Sequence, residues 1–140
     1  MKGRNLNPLT NEDICRSLAP IFKELDFTRK RQTFSRILGE IDQSLCLFRY
    51  SRLEDSFRVR WELLLTHRAS GQGVSVTWGI ETADNLITPT TTLEDVVEYE
   101  RRWLPLNVLP VLEFTRDLDS ILNIPSDLRG RFVFVTKFCR

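Results

Sequence analysis

The stretch "FRVRWELLLTH", residues 57–67, is the feature that most constrains this fold, because its side chains alternate with a period of two. Phe57, Val59, Trp61, Leu63 and Leu65 point one way, and Arg58, Arg60, Glu62, Leu64 and Thr66 point the other. Only a β-strand with one buried and one mainly polar face reads this pattern. The loop "RASGQG" follows, and then "VSVTWGIE" alternates again, with Val74, Val76, Trp78 and Ile80 inward. Two alternating runs joined by a glycine-bearing loop predict an antiparallel hairpin.

Upstream, "TFSRIL" is a short amphipathic segment, "GEID" a turn, and "QSLCLFRY" a strand with apolar residues on both faces. Four consecutive strands joined by short turns predict a meander whose apolar face needs a cover. Helices supply it. Ile14, Leu18, Ile21, Phe22 and Leu25 recur at helical spacing, which predicts a helix over 11–25 capped by Thr10 or Asn11 and kinked or broken at Pro20. After the loop "TADNLITPTT", Thr92 caps "LEDVVEYERRWL", with Asp95 at the capping-box position, and Pro105 stops that helix. Another helix is expected over 107–122, with Pro110 in its first turn. "RFVFVTKF" closes the chain as a last strand, at a sheet edge or on a partner.

The expectation is therefore an α+β fold: one antiparallel sheet, a four-strand meander plus a C-terminal strand, with about three helices on one face. At 140 residues the chain is read as a single domain over 1–140, with residues 1–10 as a flexible start and 123–140 as an edge strand or interface tail.

Charge narrows the function classes. Twenty Lys and Arg stand against 19 Asp and Glu, and the formal charge is +1. Non-specific nucleic-acid binders need a basic excess to neutralise phosphates, and none exists overall. Through Ser70 there are 13 basic and 9 acidic residues, and from Gly71 onward 7 and 10. The basic bias of the first half gathers in "TRKR". Three cysteines, Cys15, Cys46 and Cys139, form no CxxC pair, so neither a disulfide framework nor a zinc site is indicated. No apolar leader precedes the first helix, and no apolar run is long enough to cross a bilayer. A cytoplasmic protein without membrane attachment is expected.

The search for catalytic groups is largely negative. His67 is the only histidine, so it must serve in any Ser–His or Cys–His pair. At the end of a hairpin strand it reads as a satisfied loop-edge residue. "SGQGVS" lacks the pattern of a phosphate loop and precedes a strand rather than opening a helix. No cofactor and no metal are expected. The remaining candidates are cationic. Arg29, Lys30 and Arg31 follow the first helix, where cations complement its terminal carbonyls, and they are also candidate phosphate contacts. Arg36, Arg49, Arg52, Arg58, Arg60 and Glu62 are the candidate partner-binding set, on the supposition that neighbouring strands present them together. Phe57, Trp61 and Trp78 share the apolar register, which argues against stacking of RNA bases on the polar face.

The order of helix, "LDFTRKRQTF", β-meander and C-terminal helices resembles a family of uncharacterised bacterial domains. In that family a first helix ends in L-G-F and is followed by a basic stretch and F-x-R. Leu25, Phe27, Arg31, Phe34 and Arg36 match the pattern, while Asp26 stands where the family has glycine. The resemblance implies a small α+β fold without assigned catalytic residues. In size and composition the family is similar to bacterial immunity proteins, which neutralise toxin domains. The leading expectation is a non-enzymatic protein-binding domain of immunity or inhibitor type, as a monomer or as a homodimer through Arg131–Phe138. The alternatives are a nucleic-acid-associated factor using the basic first half, and a small hydrolase or transferase using His67 or Cys15.

Overall fold

The computed structural model describes residues 9–53, 55–78, 85–123 and 132–137, with side chains left aside at 50–53, 85, 122 and 132–137. The elements are α1 (Asn11–Lys23), β1 (Thr28–Lys30), β2 (Thr33–Leu38), β3 (Ile41–Leu53), β4 (Ser56–His67), β5 (Gly73–Trp78), β6 (Asn85–Ile87), α2 (Leu93–Asn107), α3 (Leu109–Phe114), α4 (Leu118–Leu122) and β7 (Phe132–Lys137). The strands form one antiparallel sheet in the order β1-β2-β3-β4-β5-β7, with β6 paired to the other end of β4. The α+β architecture expected from the sequence is the one observed.

Both long helices begin as their sequences dictate. Thr10 accepts a hydrogen bond from the Asp13 amide and Asp13 from the Thr10 amide, and Thr92 and Asp95 repeat the arrangement. Each reciprocal box satisfies two amides that a helix start leaves without partners. The end of α1 is a Schellman turn. The Phe27 amide donates to the Phe22 carbonyl and the Asp26 amide to the Lys23 carbonyl, with Asp26 at φ +67°. The apolar contact that accompanies such a turn is the edge-on pair Phe22–Phe27, ring centroids 5.7 Å apart. This left-handed residue is the position at which the related pattern carries glycine.

The core lies between the helices and one face of the sheet. Phe22 of α1 stacks on Phe34 of β2 at 4.1 Å and leans on Trp61 of β4 at 5.9 Å. Val96, Val97, Trp103 and Leu104 of α2 are buried, and Trp103 meets Trp78 edge-on. The Trp78 indole N–H donates to the Asn107 carbonyl, one of the last carbonyls of α2. Glu100 is also buried, and its carboxylate accepts from the Trp61 indole N–H at 2.9 Å.

Some boundaries depart from the sequence expectation. The first helix runs through Pro20 without a break, and α2 runs through Pro105 to Asn107. Both prolines are exposed, so the carbonyls they leave without an amide donor stay on the solvent side. The helix expected over 107–122 is two short ones. Asp117 accepts from the Ser120 amide and starts a new helix, while the Thr115 hydroxyl returns to the Val111 carbonyl. The segment 28–30 forms β1, and β3 begins at Ile41, inside the expected turn. Residues 85–87 of the expected loop pair with Phe57–Val59, because β5 covers only Glu62–Thr66 of β4 and leaves that edge vacant. β7 pairs with β5 at the end of the sheet, as expected of a last strand, while Arg131 and Phe138 lie outside the described residues.

Candidate functional site: the open face of the sheet

Strand alternation sends every second side chain of the sheet away from the helices. The register fixes which ones share that face. Ile37 is level with Asp42, and Asp42 with Thr66. The next row holds Thr28, Ser35, Ser44, Leu64 and Ser75, and the row after it Thr33, Cys46, Glu62 and Thr77. Phe48 and Arg60 form a fourth row, and Arg58 with Leu86 completes the face. The two middle rows mix small hydroxyl side chains, Thr28, Thr33, Ser35, Ser44, Ser75 and Thr77, with Lys30, Cys46, Glu62 and Leu64.

Five large apolar side chains are exposed among the described residues, and four belong to this face: Ile37 at 54%, Leu86 at 42%, Leu64 at 41% and Phe48 at 39%. The fifth, Leu106, is on α2. Isolated exposed apolar residues need no explanation, but their gathering on one sheet face does. A concavity of about 540 Å³ is lined by Ile37 and Leu64, by Thr28, Ser35, Ser44 and Thr66, and by Asp26, Arg36 and Asp42. A smaller one of about 420 Å³ lies at the start of α1, between Asn11, Gln32, Phe48 and Arg49.

The arginines proposed from sequence divide between the two sides. Arg58, Arg60 and Glu62 share the open face. Arg60 donates to the Trp78 carbonyl at 2.7 Å, and Glu62 accepts from Ser75 at 3.1 Å. Arg36 and Arg49 instead fall in the helix-facing register, opposite Gln43 and Val59. Arg36 donates through Nε to Gln43 Oε1 at 2.7 Å and through Nη1 to the Leu25 carbonyl at 2.8 Å, with its guanidinium over the Phe27 ring. Burial, and next the charge of Arg116, holds its pKa below the ordinary guanidinium value. Gln43 is fully buried and passes the link onward, donating to the Leu112 and Thr115 carbonyls of α3. Arg49 lies over the Phe57 ring at 3.8 Å and donates to the Leu9 carbonyl. The Arg52 side chain lies outside the described residues.

The basic stretch is similarly divided. Arg29 pairs with buried Phe34 across the ladder and donates to the Arg31 carbonyl, whereas Lys30 is exposed and level with Thr33. Arg31 occupies the turn at φ +59°. By register Arg29 falls on the helix-facing side with Arg36, and Lys30 on the open face with Thr33.

His67 is held at both nitrogens, Nε2 to Glu40 at 2.9 Å and Nδ1 to Ser70 at 2.8 Å. Glu40 also accepts from the Leu118 amide at the start of α4, so the imidazole ties the β4–β5 loop to the preceding turn and to α4. Cys15 is fully buried, and burial pushes its thiol up to about 12, with Cys46 adding to the shift. A thiol so placed is a core side chain rather than a nucleophile. Among the described residues no three His, Cys, Asp or Glu side chains gather as a metal site, and no helix is long and apolar enough to cross a membrane.

Sequence reasoning missed Ile37, Phe48, Asp42, Ser35 and Ser44 as members of the face. The available signal was Leu64, an apolar residue in the polar register of the clearest strand. Comparison with family models, curated proteins and solved structures gave no match.

Proposed function

We propose that this chain is a non-enzymatic protein-binding domain that docks a partner on the open face of its sheet. Its most concrete form is an immunity- or inhibitor-type protein, bacterial and cytoplasmic, that neutralises a toxin domain. The observation that carries the reading is the gathering of Ile37, Phe48, Leu64 and Leu86 beside Arg58, Arg60 and Glu62 on a face that no described helix covers. Apolar anchors among charged groups and small residues are the makings of a protein interface core and rim. Arg36 and Arg49 are left out of the proposed docking set, because they fall in the helix-facing register of the sheet, opposite Gln43 and Val59.

Affinity purification with mass spectrometry identifies the partner, and calorimetry on the purified pair tests the face. Leu64→Glu combined with Arg58→Glu is expected to weaken binding at least about 100-fold, since removal of hot-spot residues costs about 2 kcal/mol or more each. The melting temperature should stay within a few degrees of the parent. Undiminished affinity in a folded double variant would refute the reading.

A further inference from the structure

Among the described residues the last strand ends the sheet with an open edge. β7 pairs with β5 over Phe132–Lys137 without a register shift, and no described strand lies beyond it. The direction of its free backbone groups follows from one hydrogen bond. The His67 amide donates to the Gln72 carbonyl at 2.8 Å, which makes these two a hydrogen-bonded pair at the start of the β4–β5 ladder. Antiparallel ladders alternate, so Gly73, Ser75 and Thr77 turn their amides and carbonyls toward β7. Their partners Lys137, Val135 and Val133 bond back to β5, and Phe132, Phe134 and Thr136 turn theirs outward.

Exposed edges are commonly shortened, bulged, or interrupted by proline and charge. The strand "FVFVTK" has none of these devices except Lys137 at its end. The opposite edge of the sheet is different. β1 has three residues and lies between two left-handed ones, Asp26 at φ +67° and Arg31 at φ +59°, so it offers no long row of backbone groups.

We infer that β7 pairs with β7 of a second copy, antiparallel about a two-fold axis perpendicular to the sheet, and joins the two sheets into one. An antiparallel edge turned about such an axis meets its own row of donors and acceptors, so the second copy is a complete complement. β1 cannot continue the pairing, and the assembly closes at two copies. The axis passes at Val135. That register bonds Phe134 to Thr136 of the other copy, and the reverse, and sets Lys137 opposite Val133. Slid by two residues, with the axis at Phe134, the pairing would set Lys137 against Arg131 of the other copy, and like charges directly opposite are destabilising. The outer edge of β7 is separate from the open face, so the dimer carries two such faces side by side and stands whether or not they dock a partner. About seven residues at about 3.3 Å give a contact line of about 23 Å, short of a standard interface, and association in the micromolar range is expected.

The test is sedimentation equilibrium of the full chain at micromolar to submillimolar concentrations, with melting curves to confirm that each variant is folded. A dimer is expected. Thr136→Pro removes an outward amide and leaves the β5 ladder its bonds, so it should weaken the dimer about tenfold or more, with the melting temperature of the monomer within a few degrees of the parent. Hydrogen exchange on the parent chain gives an independent reading: the Phe134 and Thr136 amides should slow as concentration rises, while those of Val133 and Val135 are slow throughout. In a Cys139→Ser background, Val135→Cys should form a disulfide between copies, because a non-hydrogen-bonded pair brings its Cα atoms to about 4.5 Å. A monomer at every concentration, a dimer indifferent to Thr136→Pro, or outward amides whose exchange ignores concentration would overturn the inference. A dimer that forms no disulfide at Val135→Cys would overturn the pairing about that residue.

Discussion

Replacing Gln43 by Met tests whether Arg36 is part of the fold's internal wiring or belongs to a surface for partners. Gln43 is fully buried. It accepts from Arg36 Nε at 2.7 Å and donates to the Leu112 carbonyl at 2.9 Å, the Thr115 carbonyl at 3.1 Å and the Thr115 hydroxyl at 2.9 Å. Methionine keeps the length of the side chain and removes every one of these bonds. The largest loss is the bond to the charged guanidinium, about 1.5–3 kcal/mol, because Arg36 Nη2 already lacks a partner and Nε would join it. The two carbonyls at the end of α3 add about 1 kcal/mol each, and the apolar methionine returns about 1 kcal/mol by its burial. The net expectation is a loss of about 3 kcal/mol, or about 10 °C in melting temperature for a chain of this size. Urea and thermal unfolding followed by circular dichroism read both quantities. Arg36→Met in the same background should cost less than it does alone, by about 1–2 kcal/mol, because the two side chains act as one unit. A Gln43→Met protein within about 1 kcal/mol of the parent would refute the argument and return Arg36 to the candidate binding surface.

Asp26→Gly should raise stability by about 0.5–1 kcal/mol in urea titrations, since glycine removes the strain of φ +67°, which outweighs the greater backbone entropy that glycine gives up on folding. Thr10→Ala should cost about 1 kcal/mol of stability through loss of the α1 cap. The hydrogen bonds from Thr10, side chain first, also hold the Asp13 carboxyl below its ordinary value of 3.8. A depressed carboxyl stabilises the fold above its unfolded pKa, and that contribution disappears as pH falls through the lower folded value. Stability lost between neutral pH and about pH 3 should therefore shrink in Asp13→Asn, as measured by melting curves at the two pH values. With its pKa near 12 and no exposed surface, Cys15 should resist Ellman's reagent in the native protein at pH 8 and react on unfolding. Prompt native labelling at Cys15 would contradict the packing of α1 on the sheet.

The strongest local patterns carried through intact because each is decided by nearest neighbours. The alternation of residues 57–67 and 74–78 is a period-two code with one apolar register, and no tertiary competitor offers those side chains a better burial. The capping boxes at Thr10 and Thr92 are closed within four residues. Phe27 and Phe34, quoted in the resemblance, both pack on Phe22, the first at the end of α1 and the second from β2.

The candidate site was legible only in part. Arg58, Arg60 and Glu62 lie on the strand whose register was plain, and they did share a face. Arg36 and Arg49 lie on strands with apolar residues in both registers, so the inward side could be known only from cross-strand pairing. β6 exists because β5 left part of β4 uncovered, a vacancy that has no trace in residues 85–87 themselves. The choice of which sheet face receives the helices likewise depends on contacts between segments far apart in the chain, such as Gln43 with Thr115 and Trp61 with Glu100. Local periodicity thus determined the elements and the polarity of the central hairpin. Tertiary packing decided which arginines fell in the helix-facing register and which apolar residues were left at the surface, because burial is a property of the assembled layers and not of any one strand.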